Sequence, residues 1–414
     1  MSTAVEELQA TWSPPLFDLT KPPDLTESLE SDQELGNFVR IAKWCPDGSM
    51  ALAQCENSYY TTLNFNSLPE AEDPQRTRLI LRQPAPIIDF LWYPTASSRN
   101  PSSFCFVSSV RECPVKLLDA SNGRLRASYP IIDHRERFIA SHSLSFNLYG
   151  TRLYCGFKDA IEVFDVGQPG EGTRLPTTPS KKSKDGLKGI ISSLAFCPSY
   201  TSDYYAAGSL SPTESNIALF NETQGEIPVM FLSGGAKAGV TQLQFNPMQP
   251  HLLYASYRRR DEIYCWDLRG SVDTPSTTYS PPSGYQESTN QKRRFDVDIG
   301  GRWLAVGSQT GDVSLFDLNS TGANDAATIS PTQTYKAHEG TYLFEPSSPF
   351  FFADPLFVDA IGCVAFRPNS GHLLSASGSR HYPSSDSEED DRPVMKKRYR
   401  KPIARDTSIK LWHF

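Results

Sequence analysis

Seven times along this chain an aromatic residue or leucine is followed by Asp, Asn or His at the end of an apolar run. The pairs are Phe65-Asn66, Leu118-Asp119, Phe164-Asp165, Phe220-Asn221, Trp266-Asp267, Phe316-Asp317 and Trp412-His413. The first five steps are 53, 46, 56, 46 and 50 residues; the last is 96, because two insertions fall inside it. Each pair follows a second recurring unit, an apolar run ending in small residues. These runs are ALAQC (51–55), SFCFVSS (103–109), RLYCGF (152–157), YYAAGS (204–209), LLYASY (252–257), WLAVGS (303–308) and LLSASGS (373–379). Before most of these lies a third unit carrying an aromatic, as in AKWCPDG (42–48), DFLWYP (89–94), SLAFCP (193–198) and QLQFNP (242–247). The sixth repeat has only DVDIGG (296–301), with Val297 in the aromatic slot.

Three short strands per period, separated by Pro and Gly turns, plus one strand before the next period, make a four-stranded blade. A single blade cannot bury both faces; seven stacked radially share one core and leave only short edges. The expected fold class is therefore all-β: a seven-bladed WD-repeat β-propeller. The sequence stops at TSIKLWHF (407–414), the third strand of blade seven, so its fourth strand must come from elsewhere. We expect the N-terminal stretch PLFDLT (15–20) to supply it, closing the ring. The expected organisation is an acidic extension over 1–36 that holds this closing strand, then the propeller over 37–414, with a charged insertion at 380–407 in blade seven.

Composition narrows the function classes. The formal charge of −7 sits entirely in residues 1–36, which hold eight acids and one base, Lys21; the remaining residues balance. An overall acidic charge thus does not exclude an anionic partner. No apolar run approaches the roughly 20 residues of a membrane span, and MSTAVEELQATW lacks the basic-then-apolar order of a secretory signal. The eight Cys form no C-x-x-C pair and several fall at strand positions, so buried free thiols in a reducing compartment are expected.

In a propeller of this type the loop from strand two to three and the loop from strand four to the next blade share one rim. The basic clusters fall in those loops. Arg135 and Arg137 precede blade three, and Lys181, Lys182, Lys184 and Lys188 precede blade four. Arg258, Arg259 and Arg260 form the two-to-three loop of blade five; Lys292, Arg293 and Arg294 precede blade six. The blade-seven insertion opens with five acids and turns basic at Lys396, Lys397, Arg398, Arg400 and Lys401. A cationic rim of this kind would hold a phosphate backbone, with Tyr257, Tyr399 and His134 available to stack on unpaired bases. Solvated loop charge is the other reading. KKRYRK equally fits a nuclear import signal. Ser385 and Ser387, before acids, are candidate phosphorylation sites that would set negative charge beside the basic run.

No catalytic constellation stands out. The seven His are scattered, with no H-x-x-x-H pair, phosphate loop or nucleophile elbow. LSGGAKAGV (232–240) is Gly-rich but falls in a blade-to-blade turn. His142 and His338 are expected to hydrogen-bond within blades rather than act as bases. A non-enzyme without cofactor or metal is expected.

Longer words then carry a resemblance. GRLRASYPIIDHRERFIASHSLSFNLYGTRLYCGF (123–157), GIISSLAFCP (189–198), EIYCWDLRG (262–270), TNQKRRFDVDIGGRWLAVGSQTGDVSLFD (289–317), LLSASGSRHYP (373–383) and NFVRIAKWCPDGS (37–49) resemble the telomerase Cajal body protein family over about residues 35–414. These are WD-repeat scaffolds that bind the Cajal-body box of small nuclear RNAs. The resemblance implies a nuclear, partly cytoplasmic adaptor, monomeric and off the membrane, whose partners are small noncoding RNA and the proteins of RNA–protein particles. Animal members serve telomerase and small Cajal-body RNAs; yeast-type relatives are linked to splicing particles. It carries over Arg135, Arg258, Lys292 and Arg294 as RNA-contact candidates. The chain departs from the pattern at Gly234-Gly235, where the family has Gly-His, and in its own acidic–basic insertion. A general WD adaptor without RNA contact is the alternative.

Overall fold

The computed structural model describes residues 13–31, 36–65, 78–180, 183, 185–225, 227–282, 289–320, 327–339, 359–381 and 403–414. They form 29 strands in seven sheets, and no helix. The sheets stand as seven blades in a ring, and in each the first three strands follow one another outward in chain order. The inner strands are Val39–Trp44, Ile87–Trp92, Ser143–Phe146, Ile191–Phe196, Val240–Phe245, Phe295–Val297 and Ile361–Phe366.

Register explains the repeating words. The aromatic of each inner strand pairs with an apolar residue of the second strand, which pairs in turn with the closing aromatic or leucine of the third: Trp92, Phe106 and Leu118 in blade two, Phe245, Leu253 and Trp266 in blade five. Val297 takes the same slot, opposite Leu304. Blade one corrects the sequence reading. Trp44 pairs with Ala51, and Ala51 with Leu63, so the equivalent pair is Leu63-Asn64 and not Phe65-Asn66. Phe65 lies two residues on and packs its ring on Trp44 at 5.5 Å.

An inner strand is a sheet edge, and its unpaired backbone groups need partners. Side chains of the neighbouring blade provide them. Trp92 Nε1 donates to Lys43 O (2.9 Å), Ser143 Oγ to Ile191 O (2.8 Å), Ser192 Oγ to Val240 O (2.6 Å) and Gln242 Nε2 to Phe295 O (2.8 Å). Asp296 Oδ2 accepts from Phe366 N (2.8 Å), and Trp44 Nε1 donates to Ala365 O (3.1 Å), which joins blade seven to blade one. The apolar core lies between blade faces: Ala206, Ile217, Val240, Leu253 and Trp266 meet between blades four and five.

The small residues of the second strands are contact points. A Cβ on Gly307 would lie 2.5 Å from Ile361 Cγ2 and 3.0 Å from Ile361 O on the next inner strand. Gly307→Ala should therefore cost about 1–3 kcal/mol by overpacking. Chemical denaturation checks this.

Blade seven is closed as expected by the N-terminal region, but by a different stretch. Asp24–Glu30 pairs antiparallel with Ser408–His413, with Leu29 opposite Ile409 and Ser28 opposite Lys410. The expected stretch 15–20 is not a strand. Its Pro15 and Phe17 line the lower end of the central channel, and Phe17 packs edge-on against Phe366 (5.2 Å) and Phe414 (5.8 Å). Leu19 packs with Phe17 on the core between blades six and seven, and Leu16 is exposed, so the stretch covers the end of the ring instead of extending a sheet. One strand was unforeseen: Ala327–Ile329 runs parallel to Thr277–Tyr279 as a fifth strand of blade five.

Candidate nucleic-acid interface

Antiparallel order within every blade sends the two-to-three loops and the blade-to-blade loops to the same end of the ring. By this topology Arg135, Arg137, Arg258, Arg259, Arg260, Lys292, Arg293 and Arg294 share the upper rim. Lys182, Lys184, Lys396, Lys397 and Arg398 lie outside the described residues, as do Lys181, Tyr399, Ser385 and Ser387. The two ends of the blade-seven insertion are in place: His381 and Ile403 form an antiparallel bridge, and Asp359 accepts from His381 Nε2, Arg405 N and Asp406 N.

The rim cations are not equivalent. Those of blades five and six meet. Arg293 is nearly enclosed, and its guanidinium is committed to Asp261, Arg260 O and Gly307 O. It ties the arginine loop to the segment before blade six. Arg259 Nε donates to Asn290 Oδ1 (2.7 Å). Arg294 Nη1 donates to Thr241 O (3.1 Å), while its Nε is buried without a hydrogen-bond partner among the described residues. The side chains of Arg258 and Arg260 are exposed. Arg259 sits at φ 61°, where a branched or bulky residue is costly, yet Ser58, Glu112 and Asp159 do the same in the corresponding turns of other blades. The turn geometry is common; the run of three arginines is particular to blade five.

At the junction of blades two and three the pattern differs. Arg137 is paired with Asp133 (2.8 Å), and Arg135 is exposed beside Glu136. That loop carries balanced charge, with Phe138 43% exposed. His134 is exposed there, as stacking requires. Tyr257 is not available to stack: it is 3% exposed, with its ring edge-on to Tyr264 at 5.3 Å. Strand alternation turns it inward, between blades.

The rim leads down to an axial channel of about 560 Å³, lined among others by Lys43, Asp89, Gln242, Arg294 and Asp296. Lys292 stands near its mouth. Burial, then the charges of Arg294, Arg40 and Arg258, push its ammonium down to about 8, against the pull of Asp89. Burial pushes Asp296 up to about 6, although Gln244, Phe366 N and Val297 N hydrogen-bond the carboxylate.

His338 hydrogen-bonds within blade seven, as expected. Its Nδ1 lies 3.1 Å from Asp406 and 2.9 Å from Ser408, and its Nε2 lies 2.8 Å from Ser375 Oγ. His142 does not: its ring has no hydrogen-bond partner among the described residues, and burial with the nearby charges of Lys292 and Arg111 lowers its pKa. All eight cysteines are free, and only Cys113 is not fully buried. Burial raises the pKa values of Cys45, Cys105, Cys155, Cys197, Cys265 and Cys363, to about 12 for Cys265 and about 11 for Cys363, which disfavours a thiolate nucleophile. Among the described residues no cluster of three His, Cys, Asp or Glu could hold a metal ion, and no helix is long and apolar enough to cross a membrane.

No protein-family model matches the chain. Comparison with curated proteins is informative. The bovine Telomerase Cajal body protein 1 is 31% identical over 391 residues, covering 91% of this chain and 65% of that protein. The human Telomerase Cajal body protein 1 is 31% identical over 390 residues, covering 91% and 64%. The Guanine nucleotide-binding protein negative regulator 1 of Schizosaccharomyces pombe is 29% identical over 284 residues, covering 66% and 69%. This chain thus spans a little under two thirds of the length of the mammalian relatives. With that identity running over most of a seven-bladed WD-repeat propeller, the chain is a homologue of the telomerase Cajal body proteins and belongs with them in one family.

Proposed function

We infer that this chain is a non-catalytic scaffold of the nucleus that holds small noncoding RNA, and proteins bound to it, against the upper rim of its propeller. The names of its relatives support an association with telomerase and Cajal bodies. One observation carries the RNA reading: Arg258, Arg259, Arg260, Lys292 and Arg294 converge from two adjacent blades, while Asp261 is used up by Arg293. An excess of positive charge on one sector suits a phosphate chain, and the exposed His134 and Phe138 lie on the same rim for base stacking. Arg135 is exposed and can add to the interface directly, whereas Arg137 adds to it only if the RNA displaces Asp133.

The test is the affinity of a Cajal-box hairpin for wild type and for Arg258/Arg259/Arg260→Ala across a salt series. Each lost phosphate contact should flatten the log–log salt slope by about 0.7 for a single strand, so three contacts give about 2. Equal affinity and equal slope would remove this loop from the interface. The fission yeast relative's name favours a second reading, a protein adaptor without RNA contact. Crosslinking followed by RNA sequencing separates the two, because an adaptor of that kind enriches no RNA.

A further inference from the structure

Six cations from four blades act on one another electrostatically around the axial channel, whose wall includes Lys43 and Arg294. Arg40 and Lys43 come from blade one, Arg258 from blade five, Lys292 and Arg294 from the entry to blade six, and Arg380 from blade seven. Their mutual approach shows in their electrostatics. Arg40 is influenced by Arg380 and Arg294, Lys43 by Arg294, and Lys292 by Arg294, Arg40 and Arg258. His142, on blade three, also feels Lys292.

The acids near them are already engaged. Asp89 takes Lys43 (3.3 Å) and accepts from Phe90 N (2.9 Å) and Leu144 N (3.1 Å). Glu56 is shared by Arg40 (3.5 Å) and Arg380. Asp296, deeper in the channel, serves Gln244, Val297 N and Phe366 N, and burial discourages its ionisation. Lys292 and Arg294 are left over. Lys292 is half-buried, and Arg294 Nε, on the channel wall, is buried without a hydrogen-bond partner among the described residues. Buried positive charge and a buried unpaired donor are costly unless something answers them. Replacing the missing partner by water would satisfy the donor but not the charge.

We propose that the mouth of the channel is a binding site for a compact phosphoryl oxyanion, held by Lys292 and Arg294 from the side and by Arg258 from above. The site shares Arg258, Lys292 and Arg294 with the RNA reading and deepens it, and the experiment below is chosen so that the two can fail separately. A phosphodiester of bound RNA and a free phosphate compound share this chemistry. The anion would neutralise the mouth and raise the affinity of Lys292 for its proton, so binding weakens as pH rises above about 8.

The experiment is calorimetric titration of the full chain with inorganic pyrophosphate, alone and in competition with the hairpin. Wild type should bind at millimolar concentration or below. Lys292→Met should lose tenfold or more, Lys292→Arg should retain binding, and the wild-type affinity should fall between pH 7.5 and 9. Arg294 is not the first choice for substitution, because it also braces Thr241 O. Pyrophosphate binding that Lys292→Met leaves unchanged, or no binding by a folded wild type, overturns the site. If pyrophosphate displaces the hairpin, the anion is the RNA's own phosphate; if both bind together, it is a free phosphate compound. A chain that holds the hairpin yet ignores pyrophosphate overturns this proposal and leaves the rim reading intact, and pyrophosphate binding without hairpin binding does the reverse.

Discussion

A chain lacking residues 1–31 should melt well below one lacking only residues 1–12. The shorter deletion removes none of the contacts described above. The longer one strips the fourth strand from blade seven and leaves the edge of Ser408–His413 open. Three losses combine. Leu29, 8% exposed and opposite Ile409, leaves the core; truncating such a leucine alone costs about 2–5 kcal/mol. Phe17 leaves Phe366 and Phe414, and each edge-on aromatic pair is worth about 0.5–1.5 kcal/mol beyond its burial. The backbone bonds of the strand and the Ser31 N to Thr407 O bond (3.2 Å) go as well. At about 2–4 °C per kcal/mol in domains somewhat smaller than this one, the midpoint should fall by roughly 10 °C or more. The open edge should also promote aggregation. Leu29→Asp should reproduce most of the effect without shortening the chain, since it sets a carboxylate among Ile409, Leu411 and Tyr59. A synthetic peptide of residues 22–31 should restore part of the midpoint of the deleted chain by adding the missing strand. Equal midpoints for the two deletions would show that the ring does not depend on this closure.

The contrast between the right closure and the wrong stretch shows what a sequence of this type makes legible. Seven blades, their order and the rim that carries each loop follow from a period near fifty residues, because every blade repeats the same local pairing. The closing strand pairs residues almost four hundred positions apart, and DLTESLE has little of the alternation that marks the other strands. PLFDLT looks more strand-like because Phe17 and Leu19 serve a different surface, the core between blades six and seven and the lower end of the channel. The parallel strand Ala327–Ile329 is three residues long and pairs with a blade other than the one it interrupts, so no period announces it. Site residues follow the same division. That Arg258 and Lys292 share a rim was readable from loop order. That Arg293 is spent on Asp261, that Tyr257 faces inward, and that Arg40 and Arg380 join the channel mouth depend on packing between blades. The His338 network was concealed for another reason: the insertion sets Asp406 68 residues from its histidine.

That network sets the second large effect, an acid-sensitive blade seven. Trp412 Nε1 can only donate, and it gives its proton to Ser375 Oγ (2.9 Å). The serine hydroxyl can then donate onward to His338 Nε2, which leaves Nδ1 to carry the ring proton toward Asp406. With this donor order the imidazole is neutral, the form that its burial favours. His338 is fully buried, and desolvation lowers its pKa in spite of Asp406. In the unfolded chain the same ring ionises near pH 6.5. Below that pH the unfolded state takes up a proton that the native ring refuses, so the stability this histidine contributes is complete above about 6.5 and declines as the solution is acidified. One proton sets the limit at about 1.4 kcal/mol per pH unit. His372, with a pKa pushed down to about 4, acts in the same direction, whereas Asp296 opposes it below about pH 6. The difference between wild type and His338→Gln isolates the buried ring from both. The variant keeps amide groups for Ser375 and Asp406 but does not titrate, so its stability should fall less steeply between pH 6.5 and 5. His338→Ala should be about 3 kcal/mol less stable at pH 7.5, because it leaves Ser375 and Asp406 facing a void. It should also loosen the base of the insertion, since Asp406 N is held by Asp359 together with Arg405 N, and limited proteolysis would then cut between 382 and 402 faster. Parallel pH profiles for wild type and His338→Gln would mean that the native ring is already charged, with Nε2 donating to Ser375 Oγ as Nδ1 donates to Asp406.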